Sequence, residues 1–429
     1  MSALNRRNFI KLASATAVPL LSGFPGLSFR AIAATNSRVV VIGGGFGGAT
    51  CASYLRLFDP SIEVTLVEPA KVYVTCPFSN TVLAGMHDMD FITHNYNKLR
   101  DRRNINIVHD SVVDIDPASK KVILKNGSKL AYDILVVSPG IGFRQGLIQG
   151  YDEPSATIMP HAWKAGKQTI LLRKQIEAMD DGGVVIIAPP PEPFRAPPAP
   201  YERASLIAYY LKKNKPKSKI LIVDSNKSFA KQGLFEAGWE KLYPGMIEWI
   251  SGSEVGYINR VDTAAMQIFS SSGKVFKGSV INLIPPQQAN TIAVKAGLTD
   301  KKGWCPVNQQ TFESSIHKKI HVLGDACMAG DMPKTGHSAN AQAKICAAAI
   351  VSELQGKAMP VPVYSSSIYS QISPKYAISM ASVYRLKNNI ITTVSGGDSA
   401  KKASKKIRLK ESKYAAGWYK AIIADVFAR

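Results

Sequence analysis

The chain has 429 residues, of which 46% are hydrophobic, and its formal net charge is +22. A single hydrophobic core stops growing at about 250 to 300 residues, so this length predicts a globular protein of several domains and excludes a single small one. The charge favours an anionic partner, which can be an acidic protein, an anionic small substrate or lipid head groups, or it is an ordinary basic surface. The sequence contains no nucleic-acid recognition motif.

Residues 1–33 show the pattern of a twin-arginine export signal. Arg6 and Arg7 precede an apolar stretch that Gly23 and Pro25 interrupt, short of the roughly 20 residues that a membrane-spanning helix needs. We expect cleavage near Ala33 and a periplasmic mature protein, whose charge is about +18 because the signal carries four of the positive charges and no acid. This pathway exports folded proteins, which suggests a cofactor that is bound before export.

Next in chain order comes a βαβ pattern. A buried strand is predicted at Arg38 to Ile42, an amphipathic helix at about residues 47–57, and a second strand at Glu63 to Val67. A glycine-rich turn lies between the first strand and the helix. The unit is typical of a dinucleotide-binding fold.

The spacing of the glycines, Gly43-x-Gly45-x-x-Gly48, indicates a dinucleotide site. Gly43 permits the tight turn, Gly45 lets the backbone approach a pyrophosphate, and Gly48 lets helix and strand pack closely. Glu68 ends the second strand, where its carboxylate is placed to accept hydrogen bonds from the adenosine ribose. The alternative is a glycine turn that binds no ligand.

Residues 182–225 repeat the order strand, loop, helix, strand and predict a second Rossmann-like unit. Its loop reads "APPPEPFRAPPAP", in which no glycine admits a phosphate and the prolines offer no backbone N–H. We therefore expect no nicotinamide site, and an NADH-dependent reductase is disfavoured. An NAD site that uses other contacts is the alternative.

Residues 318–354 run from a strand into a Gly324-Asp325 turn and then into an alanine-rich helix. Asp325 is predicted either to hold a sugar-alcohol hydroxyl or to cap the next helix. The last segments read as strands followed by a helix.

The predicted fold class is α/β, with two Rossmann-like three-layer domains and a smaller C-terminal α+β interface domain. The predicted boundaries are 34–150 with 290–360 for the dinucleotide domain, 151–289 for the second Rossmann-like domain, and 361–429 for the interface domain. The cysteines are odd in number and irregularly spaced, which argues against a disulfide scaffold or a metal site; they are Cys51, Cys76, Cys305, Cys327 and Cys346.

The motifs "GGGFGG", "YVTCPFSN", "PFRAPPAPYERAS", "GWCPV", "HVLGDAC" and "MPKTGHSANAQAK" together resemble the flavoprotein subunit of flavocytochrome c sulfide dehydrogenases. That family lies within the pyridine nucleotide-disulfide reductase superfamily. The resemblance runs from the signal to the C-terminus. It implies FAD bound by the three glycines and Glu68, Asp325 on the ribityl side, and electron transfer to a separate c-type cytochrome subunit in a heterodimer.

The resemblance also gives Cys76 a role. It implies that this cysteine carries the flavin 8α-methyl group as a thioether, so that the FAD is covalent. The alternative is an inert, buried cysteine.

The sequence departs from the family at its redox disulfide. The two positions that the resemblance assigns to the paired cysteines read Ala196 and Ile368. Neither side chain can exchange with a sulfur species, so a protein persulfide is excluded at these positions. A disulfide relocated to other cysteines is the alternative.

Two further residues are candidates. Glu202 lies where the family places a carboxylate near the flavin and is predicted to act as a general acid or base, or else to be a solvent-facing helix cap. Trp418 is either a core aromatic residue or part of the face toward the cytochrome.

These observations predict a periplasmic FAD oxidoreductase that passes electrons from sulfide or a similar sulfur compound to a c-type cytochrome. The alternative is an electron-transfer or accessory subunit of a sulfur-oxidising system that does not turn over sulfide.

Overall fold

A computed structural model describes residues 37–428 of the chain. The predicted export signal lies outside these residues. The helices are α1 (Phe46–Phe58), α2 (Ser79–Leu83), α3 (Asn97–Arg103), α4 (Lys167–Ala178), α5 (Ala199–Asn214), α6 (Gln232–Leu242), α7 (Gly252–Val255), α8 (Thr291–Lys295), α9 (Gly336–Leu354) and α10 (Lys405–Ile423).

The strands are β1 (Arg38–Ile42), β2 (Glu63–Val67), β3 (Val72–Val74), β4 (Thr93–Asn95), β5 (Asn106–Val108), β6 (Val112–Asp116), β7 (Lys121–Leu124), β8 (Lys129–Ala131), β9 (Ile134–Val137), β10 (Ile141–Phe143), β11 (Val184–Ala188), β12 (Lys219–Val223), β13 (Ile247–Ile250), β14 (Ile258–Asp262), β15 (Gln267–Ser270), β16 (Val275–Lys277), β17 (Val280–Leu283), β18 (Gln287–Ala289), β19 (Ile320–Val322), β20 (Val363–Ser373), β21 (Tyr376–Lys387) and β22 (Ile390–Asp398).

The first large sheet is parallel, with the order β19-β9-β1-β2-β5. In the register Val39 lies between Ile134 and Val64. Its central strands are continuous apolar runs because helices cover the sheet faces. The predicted strands at 38–42 and 63–67 have these bounds in the structure, and the predicted helix is α1.

A strand from late in the sequence completes this sheet. β19 pairs with β9 in parallel, with His321 opposite Val136. The chain then enters α9, which packs along α1. The first sheet is therefore built from two separate segments of the sequence.

The second large sheet is also parallel, with the order β13-β12-β11-β17. The proline-rich loop follows β11, and α5 begins directly after Pro198. This confirms the predicted strand, loop, helix, strand order. The α/β fold class with Rossmann-like sheets is likewise confirmed.

The C-terminal segment forms the antiparallel sheet β20-β21-β22, which is followed by α10. β20 contacts α5, α9 and α10. Residues from four parts of the chain therefore meet around one strand. No helix in residues 37–428 combines the length and apolar character that a membrane crossing requires.

Candidate functional site

The glycine turn after β1 leaves no room for side chains. Gly43 adopts φ +96°, and a Cβ there would lie 2.3 Å from the Ser138 carbonyl oxygen. A Cβ at Gly48 would lie 1.9 Å from the Gly43 carbonyl oxygen. The nearest atoms to a Cβ at Gly45, in contrast, belong to the Tyr73 side chain, and the first of them lies at 3.2 Å. Gly43 and Gly48 are required by packing, whereas Gly45 keeps open the approach to the helix.

The N-terminus of α1 is free to bind an anion. Gly45 is its N-cap residue and supplies no side-chain hydrogen bond, and no acidic residue lies in the first turn. The first N–H groups of a helix have no intrahelical partner and carry partial positive charge. The 13-residue helix thus presents the cradle that a pyrophosphate group needs.

Glu68 lies beside this turn. Its Oε2 accepts a hydrogen bond from the Gly44 N–H at 2.8 Å, and its Oε1 accepts one from the Ala70 N–H at 3.0 Å. The carboxylate is therefore fixed at the end of β2, next to the glycine backbone. This is the position from which a ribose hydroxyl group would be bound.

Asp325 is a half-buried residue whose carboxylate has a buried, unused acceptor. Its Oδ1 has no hydrogen-bond partner among the described residues. Burial raises its pKa, and the nearby Arg195 and Lys334 offset part of this effect. Asp325 does not cap α9, because Thr335 does so by accepting from the Ser338 N–H at 3.2 Å. The orphaned oxygen fits a sugar-alcohol hydroxyl donor, and together with the glycine cradle it fits FAD.

A cavity that opens to solvent, with about 940 Å³ of empty space in and around it, brings most of the other predicted residues together. It lies where β20, α5, the start of α9 and α10 meet. The residues on its wall that bear on function are Cys76, Ala196, Glu202, His337, Ile368 and Trp418. Residues separated by more than 300 positions in the sequence thus share one cavity.

The cavity wall holds no pair of thiols. Ala196 and Ile368, at the two positions that the resemblance assigns to the redox disulfide, both line the cavity. All five cysteines within residues 37–428 are free. Cys76 is partly exposed, and the other four are buried. The structure therefore contains no relocated disulfide among the described residues.

The buried cysteines lie in two neighbouring pairs away from the cavity wall. Cys305 and Cys327 are partners in an isolated parallel β-bridge, and the Cys346 thiol hydrogen-bonds the Cys51 thiol. Burial raises the pKa of the Cys305 and Cys327 thiols to about 12. These thiols are protonated at neutral pH and pack in the core.

Glu202 lies in the first turn of α5 and points into the protein. Its Oε1 accepts from the Gln371 N–H at 2.8 Å, and its Oε2 accepts from the Asn80 side-chain amide at 2.9 Å. Burial raises its pKa to about 7, although both hydrogen bonds act in the opposite direction. The carboxylate is thus able to take or give a proton near neutral pH and is not a solvent-facing cap.

Sequence reasoning did not identify the cations beside Cys76. The Trp163 carbonyl oxygen accepts a hydrogen bond from the Cys76 thiol at 3.5 Å and another from the Arg195 guanidinium. Arg203 donates to the carbonyl oxygens of His161 at 3.0 Å and Ala162 at 2.7 Å. Both arginines belong to the quoted motif "PFRAPPAPYERAS", but its local pattern gives no reason to place them near a thiol.

His337 and Trp418 form the opposite wall. His337 Nδ1 accepts a hydrogen bond from the Ser367 N–H at 3.0 Å, and burial lowers its pKa to about 4. The imidazole is therefore neutral at pH 7, with its proton on Nε2. The Trp418 ring lies 6.2 Å from both the His337 and Tyr369 rings. Trp418 thus belongs to the cavity wall.

Three family models match the chain. Residues 169–285 match the central region of the sulfide dehydrogenase (flavocytochrome c) flavoprotein chain, and residues 360–427 match the flavin-binding region of flavocytochrome c sulphide dehydrogenase. Residues 37–168 match the pyridine nucleotide-disulphide oxidoreductase model.

Two curated proteins illustrate the relationship. A sulfide dehydrogenase (flavocytochrome c) flavoprotein chain from Chlorobaculum thiosulfatiphilum is 73% identical over 45 residues, which are 10% of this chain and 94% of that sequence. A sulfide-quinone reductase from Aquifex aeolicus is 31% identical over 178 residues, which are 41% of this chain and 40% of that protein.

Solved structures share the fold. The sulfide:quinone oxidoreductase from Aquifex aeolicus superposes with a TM-score of 0.71 at 20% identity, covering 92% of this chain and 93% of that one. Putidaredoxin reductase, in its covalent complex with putidaredoxin, gives a TM-score of 0.66 at 18% identity, covering 92% and 100%. At these identities the likeness concerns the fold alone.

Proposed function

Because the chain belongs to the family of flavoprotein chains of flavocytochrome c sulfide dehydrogenase and is therefore a flavin-dependent oxidoreductase, we propose that it oxidises sulfide or a similar small sulfur compound. In this proposal the chain acts in the periplasm and passes electrons to a separate c-type cytochrome in a heterodimer. The twin-arginine pattern of residues 1–33 supports the location, and the matches to family models of the flavocytochrome c flavoprotein chain support the partner.

The observation that carries the proposal is the cavity that Cys76, Glu202 and His337 share. Hydrosulfide is an anion, and the guanidinium groups of Arg195 and Arg203 on the same wall attract it. Glu202 accepts the proton that the sulfur compound loses, since its pKa of about 7 suits proton transfer near neutral pH. Bound FAD supplies an acceptor that takes up an electron pair and releases electrons singly.

Ala196 and Ile368 replace the two cysteines that the resemblance assigns to the redox disulfide, so the proposed reaction proceeds without that disulfide. The protein offers no sulfur on the cavity wall apart from Cys76 in the described residues. We infer that the substrate is oxidised without a persulfide on these two positions. Any sulfur product therefore leaves the cavity free and not bound to the protein.

A covalent bond between Cys76 and the flavin 8α-carbon is part of the proposal. The exposure of the cysteines supports this bond. Cys76 is partly exposed and lines the cavity, whereas the remaining four cysteines are buried. Acid denaturation of the purified protein tests it, because covalently bound flavin stays with the precipitate. The Cys76→Ala variant releases its FAD into the supernatant, and a wild-type protein that does the same contradicts the bond.

Anaerobic addition of sulfide to the purified, flavin-loaded chain tests the activity. The proposal requires rapid bleaching of the flavin absorbance, followed by reduction of an added c-type cytochrome in proportion to the sulfide consumed. NADH serves as the control donor and leaves the flavin oxidised, because the loop after β11 lacks a phosphate cradle. Bleaching by NADH but not by sulfide contradicts the proposal.

A second function is favoured by Ala196 and Ile368 themselves. A chain without the reactive pair can serve as an electron-transfer or accessory subunit that accepts electrons from a partner and does not turn over sulfide. In the same experiment this function predicts no bleaching by sulfide, together with reversible reduction by a chemical reductant and reoxidation by the cytochrome.

A further inference from the structure

Cys76 and Arg195 share one acceptor. The Trp163 carbonyl oxygen accepts a hydrogen bond from the Cys76 Sγ at 3.5 Å and another from the Arg195 Nη2. The guanidinium also interacts with the Cys76 side chain, and this interaction opposes the lowering of the Arg195 pKa by burial. The thiol is therefore held against a permanently charged group.

Two more cations face the same sulfur. Arg203 is 2% exposed, its guanidinium carbon lies 5.2 Å from the centre of the Trp163 ring, and it is attracted to Cys76. The Lys164 ammonium group also interacts electrostatically with the Cys76 side chain. Within residues 37–428, none of these three cations forms an ion pair with a carboxylate at 4 Å or less.

Two carboxylates and a phenol interact with this cluster. Asp325 faces Arg195, Glu202 faces Arg203, and the Tyr73 hydroxyl faces Cys76. The phenol of Tyr73 is neutral at pH 7, because burial raises its pKa far above the usual value. The sulfur is thus surrounded by an excess of positive charge.

Unpartnered polar atoms show that the cavity beside Cys76 is built for a ligand. The Trp163 Nε1–H and the Gln371 Oε1 have no hydrogen-bond partner among the described residues, although these side chains are only 3% and 6% exposed. Both residues line the cavity. Buried polar atoms are nearly always satisfied, so a bound group with its own donors and acceptors is expected there.

We propose that Arg195 activates the Cys76 sulfur for its own attachment to the flavin, by stabilising negative charge on the sulfur as it attacks the 8α-carbon. This inference rests on the covalent bond of the proposed function and adds the residue that drives it. The S–C8α bond forms, while the thiol S–H bond and one C8α–H bond break. Both hydrogens and the electron pair pass to the flavin ring, and the cytochrome acceptor removes these electrons afterwards.

The rate of covalent attachment is the first test. Flavin-free chain is incubated with FAD, samples are precipitated with acid, and the flavin in the precipitate is measured over time. Arg195→Gln is expected to attach FAD at no more than about one tenth of the wild-type rate, because it loses a charge-assisted hydrogen bond. Arg195→Lys keeps the charge and is expected to recover most of the rate.

Matched controls separate this effect from folding. Lys164→Gln removes a cation that faces Cys76 and is expected to slow attachment by a smaller factor, whereas Lys167→Gln, three residues along and exposed, leaves the rate unchanged. FAD binding before attachment is measured by quenching of flavin fluorescence. Normal binding with slow attachment in Arg195→Gln supports the proposal. Attachment at the wild-type rate in Arg195→Gln overturns it.

Alkylation of the flavin-free chain gives a second readout that does not depend on the cofactor. Iodoacetamide is expected to label Cys76 first, since the remaining four cysteines are buried, and Arg195→Gln is expected to slow this labelling about tenfold. Wild-type protein that retains no flavin but shows fast labelling contradicts the covalent bond and keeps the role of Arg195. Equal labelling of wild type and Arg195→Gln overturns that role.

Discussion

The Asn80 side chain connects Glu202 to Arg203. Its amide nitrogen donates to the Glu202 Oε2 at 2.9 Å, and its oxygen accepts from the Arg203 Nε at 3.1 Å. Consecutive residues of one helix point in different directions, and Asn80 ties them both to the wall of the cavity. A carboxylate and a cation are thus held in fixed positions on the cavity wall that Cys76 shares.

The pKa of Glu202 sets a pH dependence for the reaction. As a base, its carboxylate acts only when ionised, so its contribution rises with pH up to and through about 7. Comparison with Glu202→Gln removes the ionisation of sulfide itself from the measurement. We expect the ratio of wild-type to Glu202→Gln flavin reduction rates to increase at least about tenfold between pH 5.5 and 8. A ratio that is independent of pH contradicts this role.

The same carboxylate makes stability depend on pH. Glu202 has a pKa of about 7 in the folded chain, and an unfolded glutamate has a pKa of about 4.3. Between these values the folded chain holds a proton that the unfolded chain has lost, so this contribution to stability is present below about pH 4.3 and is lost as the pH rises through 7. The full change is at most about 4 kcal/mol.

Thermal denaturation of wild type and Glu202→Gln at pH 5 and pH 8 measures this effect. The variant cannot ionise, so its melting temperature relative to wild type is expected to be higher at pH 8 than at pH 5. The constant cost of replacing an acceptor by an amide group cancels in this comparison. A difference that does not change with pH shows that Glu202 ionises as it does in the unfolded chain.

Substitutions in the glycine turn distinguish FAD binding from folding. A Cβ at Gly45 would lie 3.2 Å from its nearest neighbour, the Tyr73 hydroxyl oxygen, whereas a Cβ at Gly48 would lie 1.9 Å from a backbone oxygen. We expect Gly45→Ala to weaken FAD binding at least about tenfold while the flavin-free chain melts within about 2 °C of wild type. Gly48→Ala is expected to lower that melting temperature by more than about 5 °C. Normal FAD binding by Gly45→Ala contradicts the pyrophosphate site.

The position of the cavity explains which features the sequence was able to predict. The turn around Gly43 and Gly48 and the strands beside it follow from a local pattern, because the residues that interact are close in the sequence. The lack of glycine in the proline-rich loop is also a local pattern, and the expectation that this loop binds no nicotinamide cofactor stays a prediction. The neighbours of Cys76 did not follow from any local pattern.

Arg195 reaches Cys76 through the carbonyl oxygen of Trp163, across more than 100 residues of sequence. A backbone acceptor carries no residue-specific signal, so no sequence motif marks this contact. Glu202 shows the same limit, since its partner on β20 is the backbone N–H of Gln371. Its role as acid or base was a prediction from resemblance, and the structure adds the burial that raises its pKa.

Introducing cysteines at positions 196 and 368 tests how the lack of a redox disulfide affects sulfide oxidation. In Ala196→Cys with Ile368→Cys, both thiols would line the cavity, and Ala196 already tolerates a positive φ of 52° without being glycine. We expect a mass two hydrogens lower than that of the dithiol form, and sulfide oxidation about tenfold faster than in either single variant. A bonded pair without a change in rate shows that these positions no longer contact the substrate.

Sulfide reduction of the flavin in thiol-blocked protein tests the central claim most directly. Flavin-loaded chain is treated with iodoacetamide, freed of reagent, and mixed with sulfide in the absence of oxygen. Because no free thiol lines the cavity once Cys76 carries the flavin, the visible flavin absorbance should bleach at the same rate in treated and untreated protein. Loss of bleaching after treatment, or no bleaching in either sample, would contradict the account.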